Sequence, residues 1–237
     1  EDVIELSDRV TVLKDGSNNG TFNSGEFDKD TLVEAMMGKT VVTQSRELLL
    51  NRNSKSREIV LELKELSSNN KFSDISLKIS KGEIIGVCGL LGSGKTEIAR
   101  AIFGLDDFSS GKILLFNEEL ISHTPNTMIE NGVAFLSEER RREGFIPRLS
   151  IRENITLPIL KEIQEKCCIN HEKQLEISKK LAQEVHVVMS SIEQNVHELS
   201  GGNQLKVVIA KGLSIKPKLF ILDEPTRGVD IYAKSEI

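Results

Sequence analysis

Residues 89–96 read Gly-Leu-Leu-Gly-Ser-Gly-Lys-Thr, the pattern G-x-x-x-x-G-K-[ST]. The apolar run Ile84-Ile85-Gly86-Val87-Cys88 precedes it, and a stretch from about Lys95 to Phe103 that reads as a helix follows it. Strand, glycine loop and helix in that order form the context in which such a loop binds phosphate. Gly92 and Gly94 allow the backbone to curl so that successive N–H groups point inward. The start of the helix adds its positive end. Lys95 can then reach the β- and γ-phosphates, and the Thr96 hydroxyl can sit on Mg²⁺. We therefore expect Gly89, Leu90, Leu91, Gly92, Ser93, Gly94, Lys95, Thr96 and Glu97 to cradle a nucleotide such as ATP. The bland alternative is a glycine turn with an exposed lysine, and the loop alone does not name a reaction.

The rest of the chain narrows the possibilities. It has 237 residues, 31 basic and 36 acidic, for a formal charge of −5. A mild acidic excess argues against a general nucleic-acid binder. With 38% hydrophobic residues, 4% aromatics and no Trp, the core must come from Ile, Leu and Val. Cys88, Cys167 and Cys168 are too few for a disulfide framework and are expected to be reduced. No apolar run reaches 18 residues, so no transmembrane helix is expected. Residue 1 is Glu and no signal peptide follows, which reads as a fragment or a processed product.

Residues 9–13 read as a short strand and Lys14-Asp15-Gly16 as a turn. Asp30 to Met37 reads as a helix, capped by Asp28 or Asp30 and stopped at Gly38. Residues 39–57 are polar and read as a linker. From Glu58 the pattern sharpens. Ile59, Leu61 and Leu63 alternate, as do Ile75, Leu77 and Ile79, which predicts half-buried antiparallel neighbours. Residues 84–88, Ile113 to Phe116, Val133 to Leu136 and Leu219 to Leu222 are apolar runs expected to be buried strands. Residues 171–189 read as a helix with Leu181, Val185 and Val188 on its buried stripe, and Lys173, Lys179 and Lys180 off it. Strands alternating with helices give an α/β domain with a mostly parallel sheet.

Two further motifs join the phosphate loop. Residues 218–224, Lys-Leu-Phe-Ile-Leu-Asp-Glu, form an apolar strand ending in two carboxylates. Asp223 there can hold Mg²⁺ through its water shell, and Glu224 can orient an attacking water. Residues 199–204, Leu-Ser-Gly-Gly-Asn-Gln, precede a helical run from Leu205 to Leu213. Ser200 and the Gly201 and Gly202 amides at a helix start read either as a second anion site or as a capped loop.

The order Gly89–Thr96, Leu199–Gly202, Leu219–Glu224 and Gly228-Val229-Asp230 resembles phosphate loop, signature, second carboxylate motif and D-loop of ABC ATPases. The likeness is closest to the tandem ATP-binding subunits of bacterial importers for simple sugars, of the ribose, galactose and xylose type. It rests on Asp223 to Asp230, on Ala233 to Ile237, on Ser137-Glu138-Glu139-Arg140-Arg141-Arg142-Glu143-Gly144, on Ile151 to Ile155 and on Gly201 to Gln204. Residues 1–38 resemble the tail of a first ATPase domain, with 39–57 as linker and 58–237 as most of a second domain. On that reading the chain carries neither switch histidine, and should by itself bind ATP weakly and turn it over slowly.

The resemblance implies an α/β phosphate-loop ATPase domain with a mostly parallel sheet, an antiparallel β subdomain, and a helical subdomain carrying the signature. It implies ATP hydrolysis coupled to sugar import, with Glu224, Lys95 and Glu138 in catalysis. Mg²⁺ would lie on Thr96, Asp223 and Glu138. Leu199, Ser200, Gly201, Gly202, Asn203 and Gln204 would face the ATP of a partner domain, with Asp230 in the D-loop. Implied partners are a second ATPase domain, membrane permease subunits and, indirectly, a solute-binding protein, at the cytoplasmic face of the bacterial membrane, with no nucleic acid. A soluble ABC switch protein or an importer of a nucleoside-like solute would carry the same motifs. Many ABC domains have Gln where this chain has Glu138; the sugar group commonly has Glu. Its second domains often have Arg at Lys95. Phe72 is the only aromatic placed to stack on adenine and reads better as a core residue.

Other features read blandly. Cys167, Cys168 and His171 lack a fourth ligand for zinc. Cys88 is expected to be buried as a small hydrophobe. His123, His186 and His197 show no catalytic spacing. Arg140 to Arg142 reads as a solvated charge run.

Overall fold

In the computed structural model the described residues are 6–14, 17–37, 58–69, 71–120 and 124–229. The chain divides into two compact units, 1–53 with 228–237, and 54–227.

In the first unit, β1 (Arg9–Lys14) pairs antiparallel with β2 (Ser17–Asn23), Val10 opposite Phe22. Helix α1 (Lys29–Met37) follows. The Asp28 carboxylate accepts from the Thr31 N–H at 2.8 Å, which satisfies one of the free amides of the first turn. Val12, Phe27 and Leu32 form the buried cluster. The strand and helix expected here are present. Strand β2 had no periodicity to reveal it, because Ser-Asn-Asn-Gly-Thr-Phe-Asn offers one large apolar side chain. Asp15, Gly16, Gly38 and the expected linker 39–57 lie outside the described residues.

The second unit opens with β3 (Ile59–Ser68) and β4 (Phe72–Ser80), followed by α2 (Lys95–Phe103), β5 (Ser110–Leu115) and β6 (Glu118–Glu119). The four strands make an antiparallel sheet in the order β4-β3-β5-β6. Leu61 stands between Ile79 and Leu115, and Leu63 between Leu77 and Ile113. A period of two sends Leu61 and Leu63 to one face, an irregularity before Leu66 with Glu65 at φ 48° returns Leu66 to the core, and all three are buried with Ala101, Phe103, Met128 and Val133. Phe72 belongs to the same cluster, as expected of a core residue.

Helix α3 (Pro125–Glu130) leads into β7 (Val133–Leu136). A π turn spans Arg140–Gly144. Then come α4 (Ile151–Thr156), the hairpin β8 (Gln164–Glu165) and β9 (Cys168–Ile169), α5 (His171–Glu184), α6 (Gly201–Ser214) and β10 (Leu219–Leu222). Strands β7 and β10 run parallel, Val133 beside Leu219 through to Leu136 beside Leu222. The Asp223 N–H donates to the Leu136 carbonyl at 2.9 Å. That bond carries the ladder one step further and sets Asp223 beside the chain that leaves β7 toward Glu138. Helix α6 lies so close to β10 that a Cβ on Gly212 would meet the Phe220 ring at 2.5 Å.

Three expectations are corrected. Residues 84–88 form no ladder among the described residues, and Ile84 and Val87 are 71% and 59% exposed. A continuous apolar run becomes a buried strand only where neighbours cover both faces, and none does so here. Cys88 is accordingly exposed. The buried face of α5 is Gln174, Ser178 and Ala182, while Val188 lies beyond the helix, exposed. The face is small and polar because its hydrogen bonds are met internally: Gln174 Nε2 donates to Thr156 Oγ1 at 2.9 Å and its Oε1 accepts from Arg152.

Asn154 fastens the helical region. It is fully buried; its Oδ1 accepts from the Ile146 N–H at 2.8 Å, and its Nδ2 donates to the carbonyls of Ile146, Leu149 and Ser150 at 3.0–3.2 Å. Ser150 and Glu153 close a capping box at the start of α4.

Candidate functional site: a phosphate loop against three carboxylates

Helix α2 begins at Gly94, whose φ of 90° no side chain adopts comfortably, and no side chain caps the helix. A Cβ at Gly94 would lie 2.7 Å from the Lys71 carbonyl oxygen. Backbone approach and handedness both require glycine there. The first amides of α2 are left free for an anion. Leu90 and Leu91 are 86% and 99% exposed. Lys95 folds back over the loop, its Nζ donating to the carbonyls of Gly89 at 2.6 Å and Leu90 at 3.1 Å.

Thr96 and Glu97 sit in the first turn of α2, and their neighbours come from the ends of β7 and β10. The Thr96 hydroxyl donates to Glu138 Oε2 at 3.4 Å. The Thr96 hydroxyl also acts on the Asp223 carboxylate, favouring its charged form. Asp223 is 6% exposed, and its Oδ2 is buried without a hydrogen-bond partner. Burial pushes its carboxyl above the ordinary carboxylate range; Thr96 opposes this, Glu224 and Glu97 add to it, and Lys95 opposes it. A buried acceptor with no donor, among other acids, is a group short of a cation. A hydroxyl and two carboxylates suit Mg²⁺, which takes oxygen ligands and keeps several waters. Glu224 follows at φ 41°, exposed, in a conformation uncommon outside glycine. Such strain is retained where the surroundings enforce it.

The turn bearing Glu138 is held from both sides. Ser137 Oγ donates to Glu143 at 2.7 Å, and Arg100 of α2 donates to the same carboxylate at 3.1–3.2 Å. Arg227 forms an ion pair with Glu138 Oε1. Arg140 is buried rather than solvated, and its Nη1 donates to the Arg227 carbonyl at 2.8 Å. Desolvation holds the Arg140 guanidinium below its ordinary pKa. Only Arg141 and Arg142 of that run are exposed. Composition gives no hint of Arg140 or Arg227; the π turn, a feature frequent at functional sites, does point here.

Leu199 to Gln204 form a separate feature. Ser200 caps α6, accepting from the Asn203 N–H, and is itself exposed. Asn203 Oδ1 accepts from the Val188 N–H at 2.8 Å, and Gln204 Nε2 donates to the Leu199 carbonyl at 3.0 Å. Both side chains thus order the approach to the helix. No hydrogen bond joins 199–204 to 89–97 among the described residues. Asp230 lies outside them.

The geometry, an open helix start facing clustered acids, can be compared with known proteins. The sequence profile described as ABC transporter matches residues 72–227. This chain belongs to the ABC transporter family. It is 39% identical over all 237 residues to the ribose import ATP-binding protein RbsA of Bacillus subtilis (strain 168). It is 40% identical to the RbsA of Lactococcus lactis subsp. cremoris (strain SK11) over the same span. In each case it covers 47% of the relative, so the cassette spans about half the length of the curated proteins it matches. Its fold is that of the ATP-binding cassette MJ0796 in a dimeric post-hydrolysis state bound to ADP and Pi, with a TM-score of 0.65 over 75% of this chain and 79% of that one at 22% identity. The cassette cbiO1 of Clostridium perfringens gives 0.61 over 76% and 71% at 22% identity. The α/β cassette expected from the motifs is therefore the fold. No helix among the described residues is long and apolar enough to cross a membrane.

Proposed function

We propose that the cassette binds and hydrolyses ATP to drive import of a simple sugar, ribose being the first candidate. The observation that carries the ATPase reading is the meeting of Thr96, Glu138 and Asp223, whose Oδ2 has no hydrogen-bond partner, at the open start of α2. The sugar comes from the ribose import proteins to which the whole chain is 39–40% identical.

In this reading the amides of Gly89 to Glu97 hold the phosphates, and Lys95 leaves its loop carbonyls to pair with the β- and γ-oxygens. Thr96, Asp223 and Glu138 would hold Mg²⁺, which when bound neutralises charge on the phosphates. Glu224 takes a proton from the attacking water as general base. Leu199 to Gln204 present the start of α6 to the γ-phosphate in a partner domain, where free amides stabilise the charge that develops. Residues 1–38 are the tail of one domain, 39–57 a linker and 58–237 most of the next, with Asp230 at the domain contact. Membrane permease subunits take up the movement, which places the cassette at the cytoplasmic face of the membrane. An apolar cavity of about 350 Å³ lined by Phe103, Phe135, Glu143 and Val208 adjoins the Glu138 turn and offers them a surface.

Thermal unfolding with and without excess MgATP, on the wild-type chain and on Lys95→Ala, tests the nucleotide reading. At a hundredfold excess over Kd the ligand adds about 2.7 kcal/mol. The gain should vanish in Lys95→Ala, whose two own hydrogen bonds go to exposed loop carbonyls. An equal gain in both proteins would sink the reading. Ribose uptake by the two-domain protein with its permease, lost on Lys95→Ala, tests the cargo.

A further inference from the structure

We infer that Arg227 is a positioning residue that holds the Glu138 carboxylate in competition with the divalent cation. This rests on the proposal that Thr96, Asp223 and Glu138 receive that cation. Arg227 lies three residues beyond Glu224, in a turn closed by its own N–H on the Glu224 carbonyl at 3.0 Å. Its guanidinium pairs with Oε1 of Glu138, while Oε2 of the same carboxylate accepts from Thr96. Arg140, two residues after Glu138, grips the Arg227 carbonyl. The Glu138 segment therefore holds Arg227 by backbone and side chain together, and the pair closes a bridge between the ends of β7 and β10.

Among the described residues Arg227 is the one cationic side chain paired with Glu138. A carboxylate shared with a guanidinium donates less charge to a metal. A cation arriving at Thr96 and Asp223 must draw Glu138 away from Arg227. The Arg227 side chain is 61% exposed and that of Glu138 20%, so solvent weakens the pair to the range of surface ion pairs, a factor of about two to five in an equilibrium. That strength lets Arg227 keep Glu138 aimed at the site without preventing its capture. The Asp223 oxygen has no such holder, which makes Glu138 the exchangeable ligand of the two.

The test is Mn²⁺ binding, read by electron paramagnetic resonance, with a non-hydrolysable ATP analogue on the wild-type chain, Arg227→Ala, Glu138→Gln and the double variant. Arg227→Ala should bind Mn²⁺ about two- to fivefold more tightly. In the Glu138→Gln background the same change should have no effect, because the interaction belongs to the pair. If Arg227→Ala unfolds, Arg227→Gln carries the same expectation. Unchanged or weaker Mn²⁺ binding in a folded variant, or an equal gain in the Glu138→Gln background, overturns the role of Arg227 while leaving the nucleotide site standing. Mn²⁺ binding that is indifferent to Thr96→Ala and Asp223→Asn overturns the cation site and this inference with it.

Discussion

The Thr96 hydroxyl donates to the Glu138 carboxylate at 3.4 Å, joining residues 42 positions apart in the chain. One belongs to the first turn of the helix after the phosphate loop, the other to the turn after β7. Thr96→Ser keeps the donor and should retain cation-dependent nucleotide binding. Thr96→Val keeps the shape, loses the hydroxyl, and should weaken MgATP binding by about ten- to a hundredfold, since hydrogen bonds to charged groups contribute about 1.5–3 kcal/mol. Titration calorimetry with and without Mg²⁺ reads the difference. Equal affinities for the two variants would remove Thr96 from the site.

Asn154 predicts a stability effect away from residues 89–97. Its side chain makes four hydrogen bonds to backbone groups between Ile146 and Ser150 and is fully buried. Leucine would fill the volume but leave the Ile146 N–H without its acceptor, at about 1–3 kcal/mol, whereas the carbonyls of Ile146, Leu149 and Ser150 keep the N–H donors of Leu149, Val196 and residue 154 itself. Asn154→Leu should therefore lose about 1–3 kcal/mol in urea unfolding. A loss below about 1 kcal/mol would mean that the 146–150 loop relaxes to water freely.

These cases mark what sequence could and could not disclose. Alternation at Ile59, Leu61 and Leu63, and at Ile75, Leu77 and Ile79, reports burial directly, and the β3–β4 pair follows it. The runs at β7 and β10 were legible as strands because they pair with each other, but burial is complete only on β7, at Val133, Ala134 and Leu136; Leu222 at the end of β10 is 47% exposed. The equally apolar run at 84–88 was misread, because burial depends on neighbours that a single segment does not specify. The polar face of α5 escaped because Gln174 and Ser178 are buried through hydrogen bonds, which hydropathy cannot record. In the site, Gly89 to Thr96, Asp223 and Glu224 stand out as contiguous patterns. The Arg227–Glu138 and Arg140–Arg227 contacts join positions nearly ninety residues apart and exist only in three dimensions.

Acid should weaken the second unit partly through Asp106. Its carboxyl lies below its ordinary value of 3.8, chiefly through the hydrogen bond from Lys71 at 2.9 Å, with burial opposing and Arg100 adding to the effect. The folded state thus holds this proton less readily than the unfolded chain. The stabilisation is complete above the unfolded value and is lost as pH falls through the folded one. Asp106→Asn should destabilise the protein at about pH 6, and the difference from wild type should shrink as pH falls below the ordinary value of 3.8, as followed by urea midpoints on the acid side. Parallel curves would show that Asp106 does not contribute to the acid limb.

Glu224 yields the prediction closest to chemistry. It is exposed and held at φ 41°, one residue beyond the buried Asp223. Glutamine has the same shape and backbone demands, so Glu224→Gln removes the carboxylate, the proposed base, and little else. On the proposed reading Lys95, Thr96 and the loop amides hold the phosphates, so nucleotide affinity should stay within about twofold. Hydrolysis by the two-domain protein should fall on the order of 10²–10⁴-fold, the usual contribution of a positioned general base. Glu224→Ala should lose a similar amount. Glu224→Gly, which relieves the positive φ, should be more stable than Glu224→Ala by a few tenths to about 1 kcal/mol. Phosphate release measured alongside binding of a fluorescent ATP analogue separates the two effects. Loss of binding and turnover together would assign Glu224 to holding the nucleotide. Unchanged turnover would pass the base to another carboxylate of the cluster, with Glu138 the one already hydrogen-bonded to Thr96.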